Sequence, residues 1–392
     1  MDYIFSNKIS SLKPSAIREI LKVTSDPSFI PFAAGNPAPE AFPTEDIRAM
    51  TDKILRENPV NALQYGVTEG YPPLREAVRE FIKDKYSLGN ENDSLIITSG
   101  AQQVMDLATK ALCNEGDTVI CESPSFIGSL NCFRSYSARL AGVRVENDGM
   151  DFEMLEQTLK TAENARFIYT IPNFQNPSGV TMSLEKRKKV YELALKYGVL
   201  IVEDNPYGDL RVSGVDIPSI KSFDTENIVI YAGSFSKILS PGLRVGFALA
   251  PSEIIAKMVV CKQTSDVHTP LLNQMLVYEW LKNYAIEKHL DYLRGIYKRK
   301  LDLMCEGLDS SLSGFLDYQK PEGGLFIWCS LPENAGVMDY CKKAAERKVA
   351  MVPGSAFLTD ANEADNHIRL NFSTPTDENI VKGINILKDL KL

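Results

Sequence analysis

Ser234-Phe235-Ser236-Lys237-Ile238-Leu239-Ser240-Pro241-Gly242-Leu243-Arg244 follows the apolar, strand-like run Ile228 to Ala232. One amine, several hydroxyls and a guanidinium are gathered just beyond a strand. An amine in such company can form a Schiff base with a carbonyl compound. Ser234, Ser236 and Arg244 can hold a phosphate on that compound, Arg with a planar fork of donors. As a bare motif the run also reads as a solvated loop, so the segments around it decide.

Three segments do so. Glu203-Asp204-Asn205-Pro206-Tyr207 follows the apolar run Val199 to Val202. An acid there is commonly a turn former. It also fits the carboxylate that a pyridine ring nitrogen needs to stay protonated, and Tyr207 can donate its phenol to a ring oxygen. Asn173-Phe174-Gln175-Asn176-Pro177-Ser178-Gly179 follows Phe167 to Ile171. It reads as an ordinary turn, yet the Asn176 amide can bond the same ring oxygen. Thr98-Ser99-Gly100-Ala101-Gln102-Gln103 joins Leu95–Ile97 to a helical stretch from Val104 to Leu112. A small-residue turn opening a helix presents free N–H groups to an anion. Amine, acid and anion turn together describe the chemistry of pyridoxal 5'-phosphate, the electron sink for carbanions beside an amino group.

These motifs, in this order, resemble the fold-type-I pyridoxal-phosphate aminotransferases of class I/II. Within them the chain is similar to the 2-aminoadipate, kynurenine and broad aromatic or branched-chain group, from Ser11 to the last helix. The resemblance implies an α/β fold: a mostly parallel central sheet flanked by helices, with a smaller α+β C-terminal domain. It implies Lys237 as the residue bonded to the cofactor and as the proton carrier, with Asp204 on the ring nitrogen. The cofactor is expected to be held by Ser99, Gly100, Ala101, Gln102, Asn176, Tyr207, Ser234, Ser236 and Arg244.

Leu63-Gln64-Tyr65-Gly66 resembles the segment whose Tyr reaches the neighbouring subunit's phosphate, so Tyr65 implies a homodimer with shared sites. Phe126, in Pro124-Ser125-Phe126, stands where the group usually has a stacking Tyr; the hydroxyl is lost. Arg369, in Arg369-Leu370-Asn371-Phe372-Ser373, matches the Arg that holds the substrate α-carboxylate. Gly35 and Asn176 are expected beside it. Ser15-Ala16-Ile17-Arg18-Glu19-Ile20-Leu21 resembles a mobile arm that closes over substrate. Arg18 either faces the far carboxylate of an acidic substrate or sits in water on a short amphipathic helix.

Composition agrees. The chain has 392 residues, 44% apolar and 24% charged, which suits a soluble globular protein. A net charge of −8 argues against a nucleic-acid partner. Lys186-Arg187-Lys188-Lys189 reads as one solvated helix face. No apolar run approaches a membrane span, and Met1 to Ser10 lacks a signal peptide's apolar core. Cys113, Cys121, Cys132, Cys261, Cys305, Cys329 and Cys341 are scattered, as reduced cytoplasmic thiols are. His268, His289 and His367 are too far apart for a metal motif, and none is expected.

From Leu95 to Ala250 short apolar runs alternate with helical patterns, the signature of a parallel sheet covered on both faces. Thr44 is expected to cap a helix running to Arg56. The expected organisation is an arm and substrate lid at 1–43, a large cofactor domain at 44–270, and linking helices with a small domain at 271–392. The expected reaction is transfer of an amino group from an L-amino acid to a 2-keto acid, 2-oxoglutarate by family resemblance. A β-lyase, racemase or decarboxylase reaction on the same site stays open. An aminotransferase-like sensor domain of a regulator would carry a DNA-binding domain ahead of the arm, where only about ten residues stand.

Overall fold

The computed structural model describes residues 3–10, 26–360 and 363–390; the expected arm with Arg18 lies outside them. Among the described residues, regular structure beyond the first short helix opens with β1 (Ile30–Pro31). A central sheet follows, made of β2 (Asp93–Thr98), β3 (Thr118–Ser123), β4 (Arg139–Glu146), β5 (Gly149–Met150), β6 (Ala165–Thr170), β7 (Leu200–Asn205), β8 (Val229–Ser234) and β9 (Gly246–Pro251). The spatial order is β2-β9-β8-β7-β6-β3-β4-β5. β4, β3, β6, β7 and β8 are parallel. β9 runs against both β8 and β2, and β5 against β4. This is the mostly parallel sheet expected from the alternating pattern.

The alternation arises because both faces of the inner strands are covered. In β7, Ile201 packs with Ile120, Ile168 and Val229 on one face, while Val202 packs with Val119, Phe167 and Ile230 on the other. The helix Ala101–Leu112 lays Val104, Met105, Leu107 and Ala108 into the core. The helix Leu184–Tyr197 starts at a Ser183 cap and stops at left-handed Gly198. Gly246 marks the tightest approach of helix to sheet: a Cβ there would sit 2.8 Å from the Ala101 nitrogen.

The C-terminal part is a smaller α+β unit. β10 (Asp317–Tyr318), β11 (Phe326–Ser330), β14 (His367–Asn371) and β13 (Val352–Pro353) form an antiparallel sheet in that order. β12 (Val349–Ala350) instead pairs in parallel with β1, drawing residues 30–31 into this unit. β12 and β13, separated only by Met351, thus belong to two different sheets. The helices Val337–Glu346 and Asp377–Asp389 cover the unit, and the 27-residue helix Ile286–Leu312 packs along Asp377–Asp389.

Three local expectations are corrected. β4 was not foreseen, because only Val143 of its eight residues is buried. Thr44 is the first helical residue, after Pro43, and its side chain makes no capping bond. Lys186 and Arg187 are buried, not solvated. Lys186 pairs with Glu146 and Asp148. Arg187 donates to the Met182, Pro172, Ile217 and Pro218 carbonyls and to Asn173 Oδ1. Among the described residues no helix is long and apolar enough to cross a membrane.

A second buried cation fastens the sheet edge. Lys221 Nζ lies 2.7 Å from Asp93 and 2.9 Å from Asp224, with all three side chains at or below 1% exposure. Lys221→Met would leave two unneutralised carboxylates in the core. We expect a loss of about 3–5 kcal/mol in urea unfolding; a change below about 1 kcal/mol would show that the trio is not a fastening.

Candidate functional site

The large-sheet motifs fall at strand ends, the usual place for a ligand on such a sheet. Asp204 is the penultimate residue of β7, Lys237 follows β8, Asn176 follows β6, and the Ser99–Gln102 turn follows β2. Arg369 comes from the other unit, in β14, and crosses to meet them. They face a cavity of about 460 Å³. Its wall includes Gly35, Ala101, Gln102, Phe126, Asn176, Asp204, Tyr207, Ser234, Ser236, Lys237, Arg244 and Arg369.

Arg369 is buried and its guanidinium lies 4.2 Å over the Phe326 ring. Nη1 donates to Asn176 Oδ1 at 2.8 Å and Nη2 to the Ala33 carbonyl at 2.8 Å. Nε has no partner. Burial pushes this guanidinium down to about 10. The same N-terminal strap reaches Lys237, whose Nζ donates to the Gly35 carbonyl at 2.8 Å. Burial, then the charges of Arg369 and Arg244, lower the Lys237 amine to about 8.

Asp204 sits at the opposite wall. Oδ2 accepts from Tyr169 Oη at 2.9 Å, and Tyr169 Oη in turn accepts from Ser129 Oγ at 2.9 Å. Oδ1 is buried without a partner among the described residues. Burial raises this carboxyl to about 7, against the Tyr169 bond. A carboxylate so placed favours a cationic donor opposite Oδ1. Asn176 Nδ2 reaches the Tyr207 hydroxyl at 3.4 Å.

The third corner is cationic. Arg244 reaches across from Pro241–Leu243, its Nη2 donating to the Ser99 carbonyl at 2.9 Å and its Nη1 to Ser236 Oγ at 3.5 Å. Gly100 has φ +80°, and a Cβ there would stand 2.3 Å from Arg244 Nη2, so this close approach needs glycine. The first N–H groups of the helix Ala101–Leu112 have no intrahelical acceptor. With Arg244 and Ser236 they make an anion seat. The geometry therefore suits a ligand with a phosphate at one end, a ring cation at the other and a carbonyl within reach of an amine.

Several expected members stand apart from the cavity wall or outside the described residues. Tyr65 is 82% exposed, stacked edge-on to His268, and does not line the cavity of its own chain. Ser99 and Gly100 form the turn without lining the cavity, and the Ser99 hydroxyl donates to Asp266. Arg18 is outside the described residues.

Residues not anticipated hold the others in place. Glu122, at the end of β3, accepts from Thr170 Oγ1, the Ile171 nitrogen and Gln175 Nε2. It braces the loop that carries Asn176, and burial raises it to about 7. An acid inside the apolar run of β3 was its only signal. Tyr169 had none, being one more aromatic in an apolar strand.

The family description "Aminotransferase class I and II" matches residues 27–387. The chain is 38% identical to aromatic-amino-acid aminotransferase 1 of Thermococcus litoralis, over 99% of this chain and 94% of that one. It is 40% identical to the 2-aminoadipate transaminase of Thermus thermophilus, over 97% and 94%. Among solved structures, α-aminoadipate aminotransferase of Thermus thermophilus, complexed with N-(5'-phosphopyridoxyl)-L-leucine, superposes with a TM-score of 0.91. It shares 38% identity, covering 98% of this chain and 96% of that one.

Lys237 gives the site a measurable pH signature. Below pH 8 the amine is protonated in both folded and unfolded protein, and its burial is a cost. Between about 8 and the ordinary 10.5, the unfolded chain holds the extra proton, so folded stability rises with pH. Lys237→Met is expected to stabilise the ligand-free protein in urea at pH 7, with the advantage shrinking towards pH 10.5. An advantage independent of pH would mean that Lys237 is not buried as a charge.

Proposed function

Because the chain belongs to the class I and II aminotransferases, we propose that this cavity binds pyridoxal 5'-phosphate and moves an amino group between an L-amino acid and a 2-keto acid. The observation that carries the reading is the juxtaposition of Lys237 Nζ, the unpartnered Asp204 Oδ1 and the Arg244 anion seat around one cavity. When bound, pyridoxal phosphate supplies a carbonyl to receive the amino group and a ring that takes up the electrons left on the substrate carbon. Arg244, Ser234, Ser236 and the first N–H groups at Ala101 and Gln102 would hold its phosphate. Asp204 would pair with its ring nitrogen, Tyr207 and Asn176 with its ring oxygen, and Phe126 would lie against its ring.

The protein's own groups divide the remaining work. Arg369 binds the substrate α-carboxylate with its guanidinium fork, and the aromatic rings beneath it keep the cation in a fixed plane. That fixes the Cα on the Lys237 side. Lys237 Nζ, neutral in part near pH 8, would take the Cα proton and deliver it to the cofactor carbon that receives the amino group. The buried setting excludes water that would compete for that proton.

The wall beside this centre is apolar, with Phe126, Ile127, Ile171 and Phe326. Among the described residues its cations are Lys237, Arg244 and Arg369, each with a role already. This supports aromatic and branched-chain donors, alongside the 2-aminoadipate and kynurenine range of the family, with 2-oxoglutarate as the proposed acceptor. We assign residues 44–270 to cofactor binding and 271–392 to the small domain that supplies Arg369. The seven free thiols accord with a cytoplasmic setting.

A homodimer completes the proposal. Val60, Leu63 and Tyr65 are 73%, 74% and 82% exposed on one chain, an apolar group suited to a second copy. Tyr65 would then serve the partner's phosphate.

With pyridoxal phosphate supplied, leucine, phenylalanine, kynurenine and 2-aminoadipate should each be tested with 2-oxoglutarate, following keto-acid formation. At least one is expected to react, and borohydride should fix a pyridoxyl mass on Lys237. No turnover with any donor, together with no adduct, would defeat the reading. Mixing inactive Lys237→Ala and impaired Tyr65→Phe chains is expected to restore activity through hybrid dimers; activity no greater than the sum of the two alone would show unshared sites.

A further inference from the structure

Behind the anion seat lies a charged pair that no step above uses. Lys262, in the last turn of the helix Ser252–Gln263, is fully buried, and its Nζ reaches both oxygens of Asp266 at 2.9 and 3.0 Å. The pair is wired to the seat. Lys262 Nζ donates to Gln103 Oε1 at 2.5 Å, and the same oxygen accepts the Ser99 N–H at 2.8 Å. Asp266 Oδ2 accepts from Ser99 Oγ at 2.8 Å and from Gln103 Nε2 at 2.9 Å.

The bonds leave each group of the turn one arrangement. The Ser99 hydroxyl proton points to Asp266 and its N–H to Gln103, while its carbonyl accepts from Arg244. The loop that brings Asp266 here is held under strain. Val267, a β-branched residue, has φ +66°, a conformation such side chains rarely adopt. It is clamped because the Ser265, Asp266 and Val267 N–H groups converge on the Lys262 carbonyl, and His268 Nε2 accepts from the Gly66 N–H. Burial on its own would push the Asp266 carboxyl up, but bonds from Lys262, Gln103 and Ser99 hold it below the ordinary value.

A carboxylate beside an anion seat repels the anion unless it is neutralised. We propose that Lys262 and Asp266 are positioning residues for the cofactor's phosphate: they act through Gln103 and Ser99 to hold the turn 98–102 open to a dianion, with Lys262 cancelling the charge of Asp266. This rests on the reading of the cavity as a pyridoxal-phosphate site. Neither residue touches the cofactor. Ser99 accordingly serves by orienting the turn, its hydroxyl engaged on the side away from the anion.

The test compares pyridoxal phosphate with pyridoxal, which lacks the phosphate, on cofactor-free protein by absorbance titration. Lys262→Met leaves Asp266 uncancelled and is expected to weaken pyridoxal phosphate about 10- to 100-fold while leaving pyridoxal unchanged. Lys262→Met/Asp266→Asn, a neutral pair of similar shape, should recover most of that loss. Gln103→Leu creates no charge but frees the turn; it should weaken pyridoxal phosphate alone, and decides the matter if Lys262→Met does not fold. Equal losses for both ligands, no loss for either, or a double variant no better than Lys262→Met would overturn the proposal. A wild-type protein that bound the two ligands equally would instead overturn the reading of the cavity.

Discussion

A buried guanidinium that meets no carboxylate among the described residues governs this architecture. Arg369 is surrounded by neutral acceptors, namely the Asn176 amide and the Ala33 and Ala34 carbonyls, and by the faces of Phe326 and Phe357. An uncompensated cation in a low-dielectric interior is costly. The fold tolerates it by delivering acceptors from two distant stretches, the strap after β1 and the loop after β6, and aromatic faces from the small unit. The price in stability is what leaves a positive centre ready for an anionic substrate.

The same constraint sets the other charges. Lys237 shares the cavity with Arg369 and Arg244, and their like charge adds to burial in lowering its amine. On the far wall Asp204 answers with a half-satisfied carboxylate, one oxygen bound to Tyr169 and one bare. A ligand with a carboxylate, a cationic ring and a phosphate would meet a complementary charge at each end. The site is thus organised as separated, unpaired charges on rigid strand ends, and is not a network that already satisfies itself.

Much of this was legible in the sequence because the carriers lie in local motifs. Lys237, Asp204 and Asn176 each follow an apolar run by a few residues, and strand ends on a parallel sheet converge. The Ser99 turn could be read from its small residues before a helical pattern. What could not be read depends on separation along the chain. Glu122 meets Gln175 across 53 positions, and Arg369 meets Ala33 across 336. Arg187 looked solvated beside three lysines, yet helix phase turned it inward to a cluster of carbonyls. Tyr65 lies exposed on its own chain, so the signal for it was a family pattern and not any contact the chain makes with its own cavity.

The strap after β1 has a consequence for the order in which the protein is made. Phe32, Ala33 and Asn36 lend their carbonyls to Asn371, Arg369 and Ser373, which are synthesised long after them. The central sheet is complete once Pro251 has emerged, with Asp204 in it and Lys237 just beyond β8. The N-terminal strap must then wait, its partners more than 330 positions away, while the rest of the chain is translated. Contacts of such long range form late and slowly. On the proposed assignment, a nascent chain at that stage holds the wall for the ring and the amine, but not the guanidinium for a substrate carboxylate. Competence for turnover would then wait for β14.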